Sequence, residues 1–360
     1  MDAVTFFRHP SVCMPLVRDA DDFETYVKNV LGEYQAVVDA LPDSHPILTD
    51  IKSHRLIIRS VAEDVIATIT AYLDGKHDVA GDRLGNAVKQ LQPHLDKLST
   101  ADLSKEMDHL YRVRKSSTPL TSKAEMFHIP LDKRHLVAPQ RYSIPGVPCL
   151  YLGGSLYLCW EELGQPDVEL LHMSHFKLRT GQTVKLLNLV LRPEHVAAFI
   201  EWQWDKYPDR RGWLSDYAVS TGVCWPLVAI SSVRVKHRES PFKPEYIVPQ
   251  LLLQRVITST DLDGICYSST NVQLHCPDTV AIANFVFPVK SGGRSGACPG
   301  LTAKFEMTDP VAWRAADLVM IPGGSLRSFP CVIGGIKSDY RDTKFCEMEY
   351  KVCEQPHSQL

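Results

Sequence analysis

The sequence predicts an α+β fold, in which a helical region precedes a region of short strands. Residues 21–98 repeat apolar side chains at three- and four-residue steps, which is the spacing of one helix face. After Leu103 the pattern changes to short alternating or continuous apolar runs, as expected of β-strands. With 360 residues, of which 44% are hydrophobic, the chain can bury a sizeable core. Its length predicts two domains, or one domain with a large addition.

Three long helices are predicted in the first hundred residues. The first spans residues 21–41, with Asp22 in its first turn, where a negative charge complements the helix dipole. The second runs over residues 46–73 and is stopped by Gly75, and the third covers residues 79–98. This helical module contains no catalytic constellation. A role in partner binding or oligomerisation and a purely structural role therefore both stay open.

Strands are predicted in the region that follows. Arg112 and Arg114 alternate with apolar residues in one strand, so their side chains share a face of the sheet. Residues 172–179 and 183–191 are predicted to form a hairpin around a turn that contains Gly181. The apolar stretch 225–236 is a further strand prediction.

A strand, a glycine turn and a helix follow one another in the middle of the chain. Residues 149–152 have the length and composition of a buried strand, which Gly153 and Gly154 end. Ser155 can cap a short helix that carries Glu161 and Glu162. A strand-end tyrosine and a carboxylate on the next helix would form one wall of a ligand site. A packing unit with two solvated glutamates is the alternative interpretation.

The composition argues against several classes of function. A formal net charge of −3 offers no basic surface for nucleic acid. No apolar run reaches the roughly 18 residues of a membrane-spanning helix. The N-terminal residues lack the basic segment and apolar core of a secretory signal. We therefore expect a cytoplasmic protein that binds neither nucleic acid nor membranes.

The ten cysteines are scattered and form no Cys-x-x-Cys pair. This pattern predicts reduced and mostly buried thiols. Structural zinc is not expected, because paired Cys/His spacing is missing. His172 and His175 are three residues apart, but in a strand they would point to opposite faces. We accordingly expect no metal.

Four segments resemble the RES-domain family in their order along the chain. They are LYRVR at 110–114, RYSIPG…LYLGG at 141–154, WEEL at 160–163 and DGICYSS at 263–269. The resemblance covers roughly residues 105–290. It implies a variant of the ADP-ribosyltransferase fold, with a mixed β core.

The resemblance also implies a division of the chain. Residues 1–100 would be the N-terminal helical module, which is not part of the usual RES domain. Residues 101–290 would form the NAD-binding catalytic domain. Its motifs are unusually far apart, so an insertion is expected near 195–245. Residues 291–360 would be a C-terminal extension packed on the catalytic domain.

Members of this family are mostly bacterial toxins that consume NAD. They break the nicotinamide–ribose bond by hydrolysis or phosphorolysis, or they transfer ADP-ribose to a protein. The resemblance thus implies an NAD glycohydrolase or phosphorylase acting as a toxin or defence effector, with NAD as its substrate. A protein ADP-ribosyltransferase and an inactive NAD-binding module are the alternatives. An inhibitor or antitoxin, an activating protein and a homodimer are the partners that the resemblance suggests.

The residues that the resemblance assigns to the NAD site are Arg112, Tyr151, Glu161 with Glu162 as the alternative register, Tyr267 and Ser269. Arg112 would bind the diphosphate through its planar fork. Tyr151 would stack on a ring of NAD, and Glu161 would stabilise positive charge on the ribose. Tyr267 and Ser269 would contact the substrate from the late strand. The sequence has Ser268 where the family commonly has a proline.

Overall fold

The computed structural model describes residues 1–99, 107–271, 281–290, 293–318, 330–333 and 336–360. It confirms the α+β fold, with helices concentrated in one part of the chain and a mixed sheet in another. Two compact units are present. The helical unit comprises Met1–Ala101, Gln140–Tyr142 and Leu191–Arg255, and the sheet unit comprises Asp102–Pro139, Ser143–Val190 and Val256–Leu360.

The helices follow the chain as α1 (Ala3–Phe7), α2 (Phe23–Asp39), α3 (Pro46–Ser53), α4 (Arg55–Leu73), α5 (His77–Ser99), α6 (Lys123–Met126), α7 (Leu156–Glu162), α8 (Pro193–Gln203), α9 (Arg211–Ser231), α10 (Ile247–Thr258), α11 (Pro299–Lys304), α12 (Trp313–Asp317) and α13 (Lys344–Cys353). Among the described residues, no helix is both long and apolar enough to cross a membrane.

The helices predicted in the first hundred residues are confirmed, with one break. Asp22 caps α2 by accepting the backbone N–H of Thr25 at 2.7 Å. The single helix predicted over residues 46–73 is divided into α3 and α4 at His54. The backbone N–H of His54 donates to the carbonyl of Ile51, three residues back, which tightens the last turn and ends α3.

Helix α9 corrects the strand predicted over residues 225–236, because residues up to Ser231 lie in this helix. Its second half is buried on all sides, and a continuously apolar run fits a buried helix as well as a buried strand. Trp225 of α9 stacks on Tyr34 of α2 with ring centroids 4.0 Å apart. The Trp225 ring N–H donates to the carbonyl of Val12, so this aromatic pair joins distant parts of the helical unit.

The strands are β1 (Leu110–Lys115), β2 (Cys149–Gly153), β3 (Leu171–Leu178), β4 (Leu186–Leu189), β5 (Gly264–Ser268), β6 (Ala283–Pro288), β7 (Phe305–Met307), β8 (Val311–Ala312), β9 (Pro330–Ile333) and β10 (Ile336–Asp339). The main sheet has the order β4-β5-β6-β2-β1-β3-β7, with β8 also on β3. Strands β9 and β10 pair separately.

The hairpin predicted between β3 and β4 is wrong. Strand β4 forms the opposite edge of the sheet from β7 and pairs in parallel with β5, whereas β3 pairs with β1. A parallel pair needs a long crossover connection, and the chain supplies one between β4 and β5. Residues 191–255 of this connection belong to the helical unit. The predicted insertion, residues 195–245, lies within this stretch.

The hydrogen-bond ladder in the middle of the sheet, between β1 and β2, is short. Strand β1 pairs with β3 along its whole length, but with β2 only at Tyr111 and Gly153. Strand β2 in turn pairs with β6 along its whole length. Strands β1 and β2 therefore meet at one end, and the ladder between them does not continue beyond it.

The sheet unit has apolar packing on both faces. On one face the buried residues include Leu110, Leu150 and Phe285. On the other they include Tyr111 and residues of α7 and α13. Helix α13 belongs to residues 291–360, the predicted C-terminal extension, which lies in the sheet unit. None of the cysteines that the structure describes forms a disulfide; Cys276 and the side chain of Cys331 lie outside that part.

Candidate functional site

The carboxylate of Glu162, at the end of α7, is held by three side chains. Ser269 Oγ donates to Oε1 at 2.6 Å, and Asn284 Nδ2 donates to the same oxygen at 2.8 Å. Asn271 Nδ2 donates to Oε2 at 2.9 Å. All three donors are neutral, and among the described residues no cation pairs with Glu162. An exposed negative charge is thus fixed in direction without being neutralised.

The neighbouring Glu161 points elsewhere. Its two oxygens accept the side-chain amide of Gln165, each at 3.1 Å, within the same exposed turn. Consecutive helical residues are about 100° apart, so only one of the two glutamates can face the ends of β5 and β6. The structure brings Glu162, the alternative register, to Ser269 and does not bring Glu161 there.

Arg112 lies where β1 and β2 separate. As predicted, Arg112 and Arg114 occupy alternate positions of β1 and share a face. Arg112 Nη1 donates to the backbone carbonyl of Tyr151 at 3.3 Å, across the gap between the two strands. No carboxylate within the described part of the chain forms an ion pair with Arg112.

Burial, followed by the charge of Arg114, lowers the pKa of Arg112 to about 9. The guanidinium is therefore still cationic at neutral pH, but it is poorly hydrated. A desolvated cation that has only a carbonyl as partner can bind an anion such as phosphate through charge-assisted hydrogen bonds.

Tyr151 and Tyr267 lie on one face of the sheet together with Asn284. Tyr151 is opposite Val286, and Tyr267 is opposite Asn284, two residues earlier on the same strand. Burial raises the pKa of Tyr151 well above its ordinary value, and Cys149 and Tyr267 add to this shift. The two half-buried tyrosines supply aromatic surface beside a residue that holds Glu162.

Cys159 of α7 connects the two charged groups electrostatically. Burial, followed by the charges of Glu349 and Glu162, raises the pKa of its thiol to about 12, and Arg112 acts in the opposite direction. Arg112 and Glu162 are thus both close enough to act on one thiol. Because that thiol stays protonated at neutral pH, Cys159 is not a nucleophile here.

The N-terminus of α7 is fixed by the C-terminal part of the chain. Ser155 caps the helix as predicted, accepting the N–H of Leu158 at 3.1 Å. The fully buried Glu349 of α13 accepts the N–H of Leu156 at 2.7 Å and the hydroxyl of Tyr340 at 2.6 Å. A carboxylate at this end of a helix is favoured by the helix dipole. Glu349 therefore helps to orient the helix that ends at Glu162.

Sequence reasoning missed three residues that build this site: Asn271, Asn284 and Glu349. Asn284 had a detectable signal, because it is a polar residue inside the otherwise apolar strand β6. Asn271 follows a strand, where asparagine is common in turns, so nothing distinguished it. Glu349 looks like any charged residue of an amphipathic helix. Only its position in the fold reveals its contact with α7.

The chain is related to a bacterial protein over most of its length. No family model matches the sequence, and no solved structure matches it. A relative named "Putative toxin YopC", from Bacillus subtilis (strain 168), is 32% identical over 322 residues, which cover 87% of this chain and 71% of the relative. With this identity and coverage, the chain belongs to the family of that protein.

Proposed function

We propose that this protein is a toxin that cleaves the bond between nicotinamide and ribose in NAD⁺, with Glu162 as the carboxylate that acts on the ribose. The observation that carries the proposal is the Glu162 carboxylate, oriented by Ser269, Asn271 and Asn284 but left charged. The relationship to "Putative toxin YopC" supports the toxin role. The resemblance to RES domains supports NAD as the substrate.

The chemistry requires a carboxylate of this kind. When nicotinamide leaves, the ribose acquires the positive charge of an oxocarbenium ion, as in glycoside cleavage. A preorganised negative group beside the ribose stabilises that charge as it develops. Oε1 of Glu162 already accepts two hydrogen bonds. Oε2 accepts one from Asn271 and so keeps a lone pair for a ribose hydroxyl.

Arg112 would bind the diphosphate of NAD⁺. One nitrogen of its guanidinium donates to Tyr151, and the remaining N–H groups can form a two-point contact with phosphate oxygens. Tyr151 and Tyr267 would pack against the planar rings of the substrate. Of the residues that the resemblance identified, Arg112, Tyr151 and Tyr267 thus receive a substrate contact, Glu162 replaces Glu161, and Ser269 orients Glu162.

The acceptor of the ADP-ribosyl group decides the reaction class. Water would give ADP-ribose, inorganic phosphate would give a phosphorylated ADP-ribose, and a protein side chain would become ADP-ribosylated. Because nicotinamide leaves as a neutral molecule from a cationic ring, no strong nucleophile is needed in the site. The identity of the product therefore distinguishes hydrolysis, phosphorolysis and protein modification.

The test is to incubate the purified protein with NAD⁺, with and without phosphate, and to follow nicotinamide and the second product by chromatography. We expect wild type to release nicotinamide and Glu162→Gln to be at least about 100-fold slower, the range for loss of one electrostatic contact. Glu161→Gln is the matched control and should stay within about twofold of wild type. Folded wild-type protein that leaves NAD⁺ intact, or a larger loss in Glu161→Gln, would overturn the proposal.

A further inference from the structure

A second cluster of chemically active side chains lies in the sheet unit. His109, His175 and Cys353 each place one ligand atom within 4.8 Å of the others. His109 directly precedes β1, His175 lies in β3, and Cys353 ends α13. His175 is only 3% exposed, and the other two are half-buried. Two imidazoles and a thiol from three separate elements therefore meet in a region that is largely shielded from solvent.

The ring of His175 is oriented for an additional contact. Its Nδ1 lies 2.7 Å from Nε2 of His357, so one of these two nitrogens donates to the other. Its Nε2 is buried and has no hydrogen-bond partner in the part of the chain that the structure describes. A histidine held at one nitrogen by a neighbour, with the other nitrogen available, has the arrangement of a metal ligand.

The spacing of the other two donors suits a small tetrahedral ion. Cys353 Sγ lies 3.9 Å from Nδ1 of His109. With zinc–nitrogen bonds of ~2.0–2.1 Å and zinc–sulfur bonds of ~2.3 Å, the two ligands of a tetrahedral site lie about 3.6 Å apart. A small movement of the side chains would close the site around an ion.

We propose that His109, His175 and Cys353 bind one zinc ion. Sulfur and imidazole donors favour zinc over magnesium or calcium, which require oxygen ligands. Three protein ligands leave a fourth position for water. His357 is a positioning residue, because it fixes the ring of His175. The hydroxyl of Tyr111, 3.3 Å from Cys353 Sγ, can donate to the thiolate once the metal is bound.

The site would connect the C-terminal helix to the sheet. Cys353 is on α13, and the same helix carries Glu349, which contacts the N-terminus of α7. Bound zinc would tie α13 to β1 and β3 and so stabilise the sheet unit. This proposal stands independently of NAD cleavage. It also reverses the expectation of no metal, which rested on sequence spacing alone.

Cobalt(II) is a suitable probe, because its absorption reports both thiolate ligation and tetrahedral geometry. The 360-residue chain is stripped of metal with a chelator, reduced and titrated with Co²⁺. We expect one equivalent to produce a thiolate-to-cobalt charge-transfer band and intense tetrahedral d–d bands, which Zn²⁺ then abolishes. Cys353→Ser should lose the charge-transfer band and bind at least about 100-fold more weakly. Cys346→Ser, a change of a buried cysteine on the same helix outside the cluster, should behave as wild type.

Two further variants keep the test decisive if Cys353→Ser fails to fold. His109→Gln changes a half-buried residue and should greatly weaken cobalt binding. His357→Gln should retain the charge-transfer band while binding about 10- to 100-fold more weakly, the usual effect of losing a residue that supports a ligand. Absence of a charge-transfer band in folded wild type, or its persistence in Cys353→Ser, would overturn the zinc site.

Discussion

The helical and sheet units differ in the partners that they provide for a buried charged side chain. In the helical unit, Arg18 pairs with Glu245 at 2.9 Å, and their side chains are 3% and 1% exposed. In the sheet unit, the desolvated Arg112 has only the carbonyl of Tyr151 as a partner within the described residues. Charge that is balanced inside the fold stabilises the fold. The charge of Arg112, which only a neutral carbonyl contacts among the described residues, remains available for a ligand.

The same contrast applies to the carboxylates. Glu245 receives the cation Arg18 and the backbone N–H of Lys236. Glu162 receives only neutral hydroxyl and amide donors. Substitutions in the two units should therefore have opposite signatures, with stability affected in the helical unit and activity in the sheet unit.

The largest expected effect is on stability in the helical unit. Glu245→Ala leaves Arg18 buried without its counter-charge, which should lower the free energy of unfolding by about 3–5 kcal/mol. Urea denaturation followed by circular dichroism measures this change. Glu201→Ala is the control, because it breaks an exposed pair with Arg8 and should cost no more than ~1 kcal/mol. An equal loss of unfolding free energy in the two variants would show that the buried ion pair is no more important for stability than the exposed one.

Arg112→Gln should give the reverse signature. Loss of a charge-assisted contact to the diphosphate, worth ~1.5–3 kcal/mol, should slow NAD⁺ cleavage about 10- to 100-fold at low substrate concentration. The free energy of unfolding should stay unchanged or rise, because a desolvated cation without an anionic partner is removed. Nicotinamide release and urea denaturation are measured on the same sample.

Arg179→Gln is the matched control for Arg112→Gln. Arg179 also donates to a carbonyl at 3.3 Å, that of Ala303, but it is more exposed and lies near Glu306. This change should leave NAD⁺ cleavage within about twofold of wild type. A similar loss of activity in both variants would show that Arg112 is not specific to the site.

The smallest effect concerns the groups that orient Glu162. Asn284→Asp replaces an amide that donates to Glu162 with a carboxylate, which cannot donate when it is ionised. Loss of this hydrogen bond, worth about 1 kcal/mol, should slow NAD⁺ cleavage about fivefold. The control is Gln165→Glu, which makes the same kind of exchange beside Glu161 and should leave the rate within about twofold of wild type. A loss of rate with the control alone would identify Glu161 as the acting residue.

Local patterns in the sequence predicted the features that depend on neighbouring residues alone, such as amphipathic helices and the faces of a strand. The amphipathic period gave helices α2, α4 and α5, because one face of each is buried and the other is exposed. Strand alternation placed Arg112 and Arg114 on one face without further information.

Features that depend on distant partners were not predictable. Strand β4 pairs with β5 and not with β3, its neighbour in the sequence, and nothing in the turn between β3 and β4 indicates this pairing. The second half of helix α9 is buried on all sides, so its apolar run has no helical period. The choice between Glu161 and Glu162 required the position of Ser269, more than a hundred residues later.

The helical unit is assembled from three stretches of chain, and this has a consequence for synthesis on the ribosome. Tyr34 stacks on Trp225, so the first hundred residues lack part of their core until α9 has been made. At ~5–20 residues per second, the interval from residue 101 to residue 231, where α9 ends, lasts roughly 7–26 s. During that time the nascent helices expose apolar surfaces that α9 later covers, and transiently exposed apolar surface favours aggregation. While it is being synthesised, the toxin that we propose would thus carry a helical unit whose core is incomplete.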